Sequence, residues 1–321
     1  MATTTGIYRK FRGTRTSLVA LCLCTSVSVG ALSLISTSPA TAASHATTCS
    51  SSWTTVSTPA TPGFLYSVAA VSASNVWAVG QNYSNSTPLI EHWNGSAWDV
   101  VQSPSVAGTL RSLFKVSATD IWAVGSTPTG TLVEHWNGAN WAVVPSPNPG
   151  NYTNFLMSVS GTSSSDVWAV GGQDNQQGST ITGSGLIEHW DGSAWSVNAS
   201  PPGGLLSVQA LSPSDAWAGG NTGQLGNQEY MAHWDGTQWT SATGPSGNNY
   251  IIIGMSKRSS TALGWAAGEN GVKAQMFSWL AASDSWQPVH TGLGLGNSAL
   301  SSVVGVSASD AWAVGDKAAP E

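Results

Sequence analysis

Charge is the scarcest property of this chain: only 8% of its 321 residues are Asp, Glu, Lys or Arg. With a sequence pI near 5.4, it offers no basic stripe for a nucleic-acid backbone. Sulfur is also sparse, with three Cys and five Met. No stretch beyond residue 45 sustains a helical apolar period, which excludes a helical bundle. Arginine is nearly absent there too, since Arg111 and Arg258 are the only ones beyond residue 42. What the chain has instead is 36 Gly and 17 Trp among many Ser and Thr. Such a mixture suits short strands joined by tight turns.

The one long apolar run stands at the N-terminus, Ser17 to Ile35, behind Arg9, Lys10, Arg12 and Arg15. A small-residue site with Ala40 and Ala42 follows, so residues 1–42 read as a general secretory signal peptide. The run approaches spanning length, which leaves an N-terminal anchor with the protein facing outward as the alternative. No adjacent arginine pair marks the twin-arginine route. Cleavage after Ala42 removes four basic residues and no acidic one, leaving six against sixteen and a net charge near −10. Cys22 and Cys24 leave as well, so Cys49 is the sole mature thiol and no internal disulfide forms. Neither departing cysteine follows the small residue that a lipid-anchoring site requires.

Leu186 to Trp195 reads LIEHWDGSAW, a histidine, a carboxylate and two tryptophans within ten residues. It looks like an active site until its copies are found. LIEHWNGSAW starts at Leu89, LVEHWNGANW at Leu132 and YMAHWDGTQW at Tyr230, with the worn copy QMFSWLAASDSW at Gln275. A constellation that recurs along the chain marks repeat architecture. All 17 tryptophans fall into three columns. Trp77, Trp122, Trp168, Trp217, Trp265 and Trp312 follow a Ser-rich turn. Trp93, Trp136, Trp190, Trp234 and Trp279 hold the HW position. Trp53, Trp98, Trp141, Trp195, Trp239 and Trp286 come just after it. The first column repeats every 45 to 49 residues, the period of a four-stranded propeller blade.

In the first copy, strand a runs from Leu65 to Ser72, b from Val76 to Gly80, c from Leu89 to Trp93 and d from Trp98 to Gln102. Asn-Gly and Asp-Gly close the c–d hairpins because they supply positive φ cheaply, and Ser-Pro or Thr-Pro ends each unit. Alternation in strand c sets Leu89, Glu91 and Trp93 on one face, Ile90 and His92 on the other. Blades pack face to face, so both faces are buried and the Glu and His are hydrogen-bonded structural groups. The expectation is an all-β propeller with repeats at about 65–104, 110–147, 155–201, 205–242, 249–290 and, in part, 300–321. Residues 43–64 would supply a closing strand d. Five complete copies and a split sixth give a six-bladed ring closed by the two termini. The last copy lacks strand c, so a three-stranded closing blade or truncation of a longer, seven-bladed parent stays open.

The order apolar–apolar–Gly, aromatic–Asp–Gly, Trp, seen in VWAVGG (Val167 to Gly172) with HWDGSAW (His189 to Trp195), resembles the kelch repeat of galactose-oxidase-like propellers. The likeness covers about residues 50 to 315 and implies a secreted bacterial tryptophan-rich propeller. The double glycine is confined to Gly171–Gly172 and Gly219–Gly220, and HW replaces the usual tyrosine. The resemblance would bring copper-radical chemistry only with a tyrosine–cysteine cross-link, and Cys49 precedes the first full blade. No cofactor or metal is therefore expected. Two mature arginines are too few for a sialidase triad.

The a–b and c–d turns are nearly constant, whereas the b–c and d–a loops vary and share one face of the ring, where loop-borne function gathers. Their chemistry is Asn, Gln, Ser, Thr and Gly with a few tyrosines. Tyr83, Tyr152, Asp174, Asn175, Gln177, Asn227, Glu229 and Tyr250 are the candidate ligand-binding residues. A secreted, non-enzymatic, monomeric binding scaffold follows, with a glycan or an extracellular protein as partner, no nucleic acid, and no membrane after signal-peptide cleavage. A carbohydrate-active enzyme, a glycoside hydrolase or lyase using the loop carboxylates Asp174, Glu229 and Glu269, is the alternative. So is a fragment whose function lay in sequence it lacks.

Overall fold

An Asp-Gly turn shows why this sequence folds in strand pairs. In the turn after Trp190, the Oδ1 of Asp191 accepts the N–H groups of Ser193 at 2.8 Å and Ala194 at 3.0 Å, while Gly192 takes φ 97°. The Ser193 hydroxyl and these two amides hold the Asp191 carboxyl down at about 2. Gly95, Gly138 and Gly236 take φ of 98°, 94° and 94° in the matching turns, a region open to glycine without steric cost.

The structure, a computed structural model, describes residues 56–199, 201–222, 228–244, 251–259, 262–269, 274–280, 285–289, 298–307 and 310–317. Blade 1 consists of β1 (Gly63–Ser72), β2 (Asn75–Asn82), β3 (Thr87–Trp93) and β4 (Trp98–Val101). Blade 2 holds β5 (Thr109–Ser117), β6 (Asp120–Thr127), β7 (Gly130–Trp136) and β8 (Trp141–Val143). Blade 3 holds β9 (Thr153–Ser163), β10 (Asp166–Gln177), β11 (Thr180–Trp190) and β12 (Trp195–Ala199). Blade 4 holds β13 (Gly203–Ser212), β14 (Asp215–Thr222), β15 (Gln228–Trp234) and β16 (Trp239–Ala242). Blade 5 holds β17 (Ile251–Ser259), β18 (Ala262–Glu269), β19 (Ala274–Leu280) and β20 (Ser285–Val289). A last hairpin joins β21 (Ser298–Ser307) to β22 (Asp310–Lys317). Every blade is an antiparallel meander, and successive inner strands lie side by side, β1 on β5, β5 on β9 and so on to β21. The described residues thus form an all-β propeller with five complete blades, not six or seven. The copy that begins at Ser298 contributes two strands.

Each inner strand carries a bulge at one repeated point, between Leu65 and Ser67 in blade 1 and between Leu110 and Ser112 in blade 2. The bulge re-aims the serine. Its hydroxyl leaves the blade and accepts a backbone N–H from the next inner strand. Leu113 donates to Ser67 at 3.1 Å, Val159 to Ser112 at 3.2 Å, Val208 to Ser158 at 3.1 Å and Met255 to Ser207 at 3.0 Å. The same bulge drives a carbonyl against strand b. A Cβ on Gly80, Gly125 or Gly171 would lie 1.7, 1.8 or 2.0 Å from the oxygen of Phe64, Thr109 or Phe155. Only glycine fits the end of the VWAVG segment for that reason.

Tryptophan fills the junctions between blades. Trp77 of blade 1 meets Trp136 at 4.8 Å and Trp141 at 5.6 Å between ring centroids, the second at 73°, both rings being in blade 2. Trp122 repeats this against Trp190 and Trp195, and Trp168 against Trp234 and Trp239. Edge-to-face pairs of this kind stabilise by about 0.5–1.5 kcal/mol beyond the area they bury.

Candidate functional site

The EHW residues are accounted for within the blades. His92, His135, His189 and His233 each reach back along their own sheet, and their Nε2 atoms lie 2.8–2.9 Å from Oδ1 of Asn75, Asp120, Asp166 and Asp215. Each imidazole also lies on the strand-b tryptophan of its own blade, with centroids 4.1–4.3 Å apart. Burial pushes the His92 pKa down, against the opposing pull of Asp99. Burial alone would raise the Asp166 carboxyl, but hydrogen bonds from His189 and Thr162 leave its pKa lowered. Among the described residues no three His, Cys, Asp or Glu side chains gather as a metal site.

The glutamates of the same motif face the preceding blade. Glu134 accepts the Ser103 hydroxyl of blade 1 at 2.9 Å, and Glu188 accepts Ser146 of blade 2 at 3.0 Å. Burial raises Glu91 and Glu134 to about 7 and Glu188 to about 8, and the serine hydrogen bonds to Glu134 and Glu188 offset only part of this. All three are buried protonatable groups, at 2% exposure or less.

On the face of the variable loops, blade 3 differs from its neighbours. The segment Gly172 to Gly185, which holds the variable-loop candidates Asp174, Asn175 and Gln177, is a regular ladder in which Gly172 pairs with Gly185 and Gln177 with Thr180. Asp174, Asn175 and Gln177 therefore stand on strand β10 and not in a loop. The alternation of Gln, Asn, Ser and Thr lacks an apolar face, so no sequence period betrays this arm. The preceding d–a connection is stapled onto it. Asn151 N–H donates to Asn175 Oδ1 at 3.1 Å, Gln176 N–H to Asn151 Oδ1 at 2.8 Å and Tyr152 N–H to the Asp174 carbonyl at 3.0 Å. Thr153 Oγ1 donates to Asp174 Oδ2 at 2.5 Å. The polar groups of Asp174 and Asn175 thus build the arm, and they leave the Tyr152 ring exposed beside it.

One residue along the chain from Tyr152, between blades 2 and 3, opens a cavity of about 340 Å³ lined by Ser126, Thr127, Pro128, Gly130, Thr153, Asn154 and Phe155. Its lining is uncharged. Asn154 at its base is held by Gly150, accepting that residue's N–H and donating to its carbonyl, both at 2.8 Å. Sequence reasoning did not single out Thr127, Asn154 or Phe155, because nothing in the chain order joins a blade-2 turn to the start of β9.

The remaining candidates do not join this group. Tyr83 lies on blade 1, its ring 5.6 Å from that of Phe64. Glu229 is in β15 of blade 4, opposite Asn221, so Asp174 and Glu229 belong to different sheets. Glu269 ends β18 in blade 5. Asn227, Tyr250, Cys49 and residues 1–42 lie outside the described residues.

Fold and site together define a β-propeller with an uncharged cleft between blades 2 and 3. No protein-family model matches the chain, and neither does any curated protein. Solved structures do. A YCF48 structure described as bound to D1 peptide aligns with a TM-score of 0.56 at 17% identity, over 83% of this chain and 79% of that one. A fungal lectin, the Aleuria aurantia lectin, described as a six-bladed β-propeller with a fucose recognition mode, aligns with a TM-score of 0.44 at 14% identity. That match covers 72% of this chain and 80% of the lectin. At 17% identity, what the chain shares with the YCF48 structure is the fold.

Proposed function

We propose that the protein is a secreted, non-enzymatic, monomeric binding scaffold of kelch-like build. In this reading residues 1–42 are removed as a signal peptide. Its ligand is neutral and polar, a glycan or an extended peptide backbone, and it sits in the cleft between blades 2 and 3. One observation carries the reading: an uncharged cleft lined by hydroxyl and amide groups together with Pro128 and Phe155 opens on the face where the blades differ, one residue along the chain from the exposed Tyr152. A tyrosine ring offers stacking area at low entropic cost. That a propeller of similar fold is described as bound to a peptide supports a binding role.

Glycan and peptide arrays probed with the purified protein test this. One array gives binding, and Tyr152→Ala weakens it about tenfold, the equivalent of about 1.4 kcal/mol. Silence on both arrays, or an affinity that ignores Tyr152→Ala, sinks the site. Turnover of a glycan that Asp174→Asn abolishes would replace the scaffold with an enzyme.

A further inference from the structure

One strand-c tryptophan is held differently from the rest of its column. The indole N–H groups of Trp93, Trp190 and Trp234 donate to the a–b turns of their own blades, to the carbonyls of Ala73, Ser164 and Pro213 at 3.0–3.1 Å. Trp136 makes no such bond among the described residues, and its Nε1 is not one of the nitrogens shut away from solvent. The ring itself is fixed, with its centroid 4.8 Å from that of Trp77 and 6.0 Å from that of Trp141. An ordered aromatic group thus keeps open a donor that its copies spend on the fold.

That indole lines a cavity of about 400 Å³ in the outer half of the junction between blades 1 and 2. One wall is the end of strand d in blade 1, Val101 to Pro104. The other is the c–d hairpin of blade 2, with Trp136, Ala139, Asn140 and Trp141. Two further departures meet here. Gln102 stands four residues after its strand-d tryptophan, where blades 2 and 3 have Pro145 and Ala199. Asn140 stands just before its strand-d tryptophan, where blades 1 and 3 have Ala97 and Ala194. Both amide side chains are exposed. That of Gln102 has no partner among the described residues, and that of Asn140 reaches only the Trp141 carbonyl, at 3.5 Å. The junction between blades 2 and 3 has neither amide, and the one between blades 3 and 4 has only Gln238.

The chemistry of the cavity is narrow. No charged side chain lines it, and Glu134, which bonds Ser103 at 2.9 Å, is fully buried. Each side-chain amide can both donate and accept. Together with the indole N–H, the two amides set separate hydrogen-bonding groups around the apolar surfaces of Val101, Pro104 and Trp136. A sugar ring has the matching form, with C–H groups on its face and hydroxyls that donate and accept around its rim. An extended peptide needs a row of free main-chain groups instead. Pro104 has no N–H, and its carbonyl already accepts the Val106 N–H at 2.8 Å.

We infer that the outer junction of blades 1 and 2 is a second binding site, for a single neutral pyranose unit. The Trp136 indole N–H donates to one ring hydroxyl, and Gln102 and Asn140 hold others from opposite walls. The site is separate from the cleft between blades 2 and 3 and does not rest on it.

Binding is read on the purified protein through the Trp136 indole N–H resonance, assigned by its disappearance in Trp136→Phe. The probes are the methyl glycosides of glucose, galactose, mannose, fucose and N-acetylglucosamine. One of them should shift that resonance saturably, with a Kd at or below about 1 mM. Gln102→Ala combined with Asn140→Ala should weaken that binding about tenfold or more. Alanine already stands in both places in other blades, at Ala199 and Ala194, so the double variant should fold. A resonance that no sugar moves at about 10 mM overturns the proposal. So does sugar binding that leaves the Trp136 resonance in place, since it belongs to another part of the molecule, or an affinity that ignores the double variant. A shift given by the neutral peptide Gly-Ser-Thr-Gly and by none of the sugars would assign the cavity to a peptide and overturn the sugar reading.

Discussion

Blade 3 and blade 5 are copies of one plan carried out with different groups. Blade 3 couples Asp166 to His189 across its sheet and seals Glu188 against Ser146 of the blade before. Blade 5 has Ser278 in the histidine place and Phe277, buried in an apolar cluster, in the glutamate place. The four-stranded meander and the tryptophan columns survive the exchange. The blade form is thus set by turns, pleat and aromatic packing, while the polar couples refine a junction that apolar contact already holds. That order of importance can be tested by breaking each feature in turn.

The largest effect falls where the backbone itself is crowded. Gly125→Ala in blade 2 would place its Cβ 1.8 Å from the Thr109 oxygen, a clash with main chain that no rotamer relieves. A loss of about 3 kcal/mol is expected, the upper end for overpacking. The matching Gly268→Ala in blade 5 meets the Ile251 oxygen at 2.8 Å and should cost about 1 kcal/mol. Urea unfolding of both variants measures the difference. Equal costs would show that the approach of the inner-strand carbonyl is not what demands glycine.

That bulge is also what sequence alone did not reveal. The period, the tryptophan columns and the Asn-Gly and Asp-Gly turns were legible because each has a local cause: alternation, ring size or positive φ. Strands run further than patterning indicated, with β1 starting at Gly63 and β2 reaching Asn82, since polar residues continue a ladder without an apolar face. The Leu-x-Ser recurrence of Leu65–Ser67, Leu110–Ser112, Leu156–Ser158 and Leu205–Ser207 was visible as letters. Its meaning was not, because the hydrogen bonds it makes span 46 to 50 residues. At the candidate site, Tyr152, Asp174 and Asn175 were legible as members of irregular segments. Their union depends on cross-strand bonds, and the cleft wall from Ser126 to Pro128 belongs to another blade.

An intermediate effect is expected from the buried glutamates, and its sign follows from their environment. Burial lifts Glu134 and Glu188 from an ordinary 4.5 to about 7 and about 8. The folded state then keeps protons that the unfolded chain has released. This contribution is complete below about pH 4.5 and is lost as pH rises through about 7 to 8. Each group can remove up to about 1.4 kcal/mol of stability per pH unit within its window. Glu134→Gln with Glu188→Gln should flatten the decline between pH 5 and pH 8, as read by urea midpoints across that range. Blades 4 and 5, with Ala232 and Phe277 in this column, contribute no such titration. An unchanged slope in the double variant would place the pH dependence elsewhere.

The smallest effect belongs to the histidine couple that first suggested an active site. In blade 3, His189→Ala and Asp166→Ala each remove one half of a 2.8 Å bond. Each also leaves a polar partner in a half-buried setting, so either single should cost more than the bond itself is worth. A double-mutant cycle isolates the coupling, expected at about 1 kcal/mol. The converse experiment installs Ala262→Asp, at the position that pairs with Ser259 as Asp120 pairs with Ser117, and Ser278→His together in blade 5, where neither group is present. Installed singly, each adds a polar group without its partner and should destabilise; installed together, the loss should shrink by the same coupling of about 1 kcal/mol. If the pair in blade 5 shows no coupling while the pair in blade 3 does, the couple depends on the way its own blade is packed. The matching absences at 262 and 278 would then be independent events.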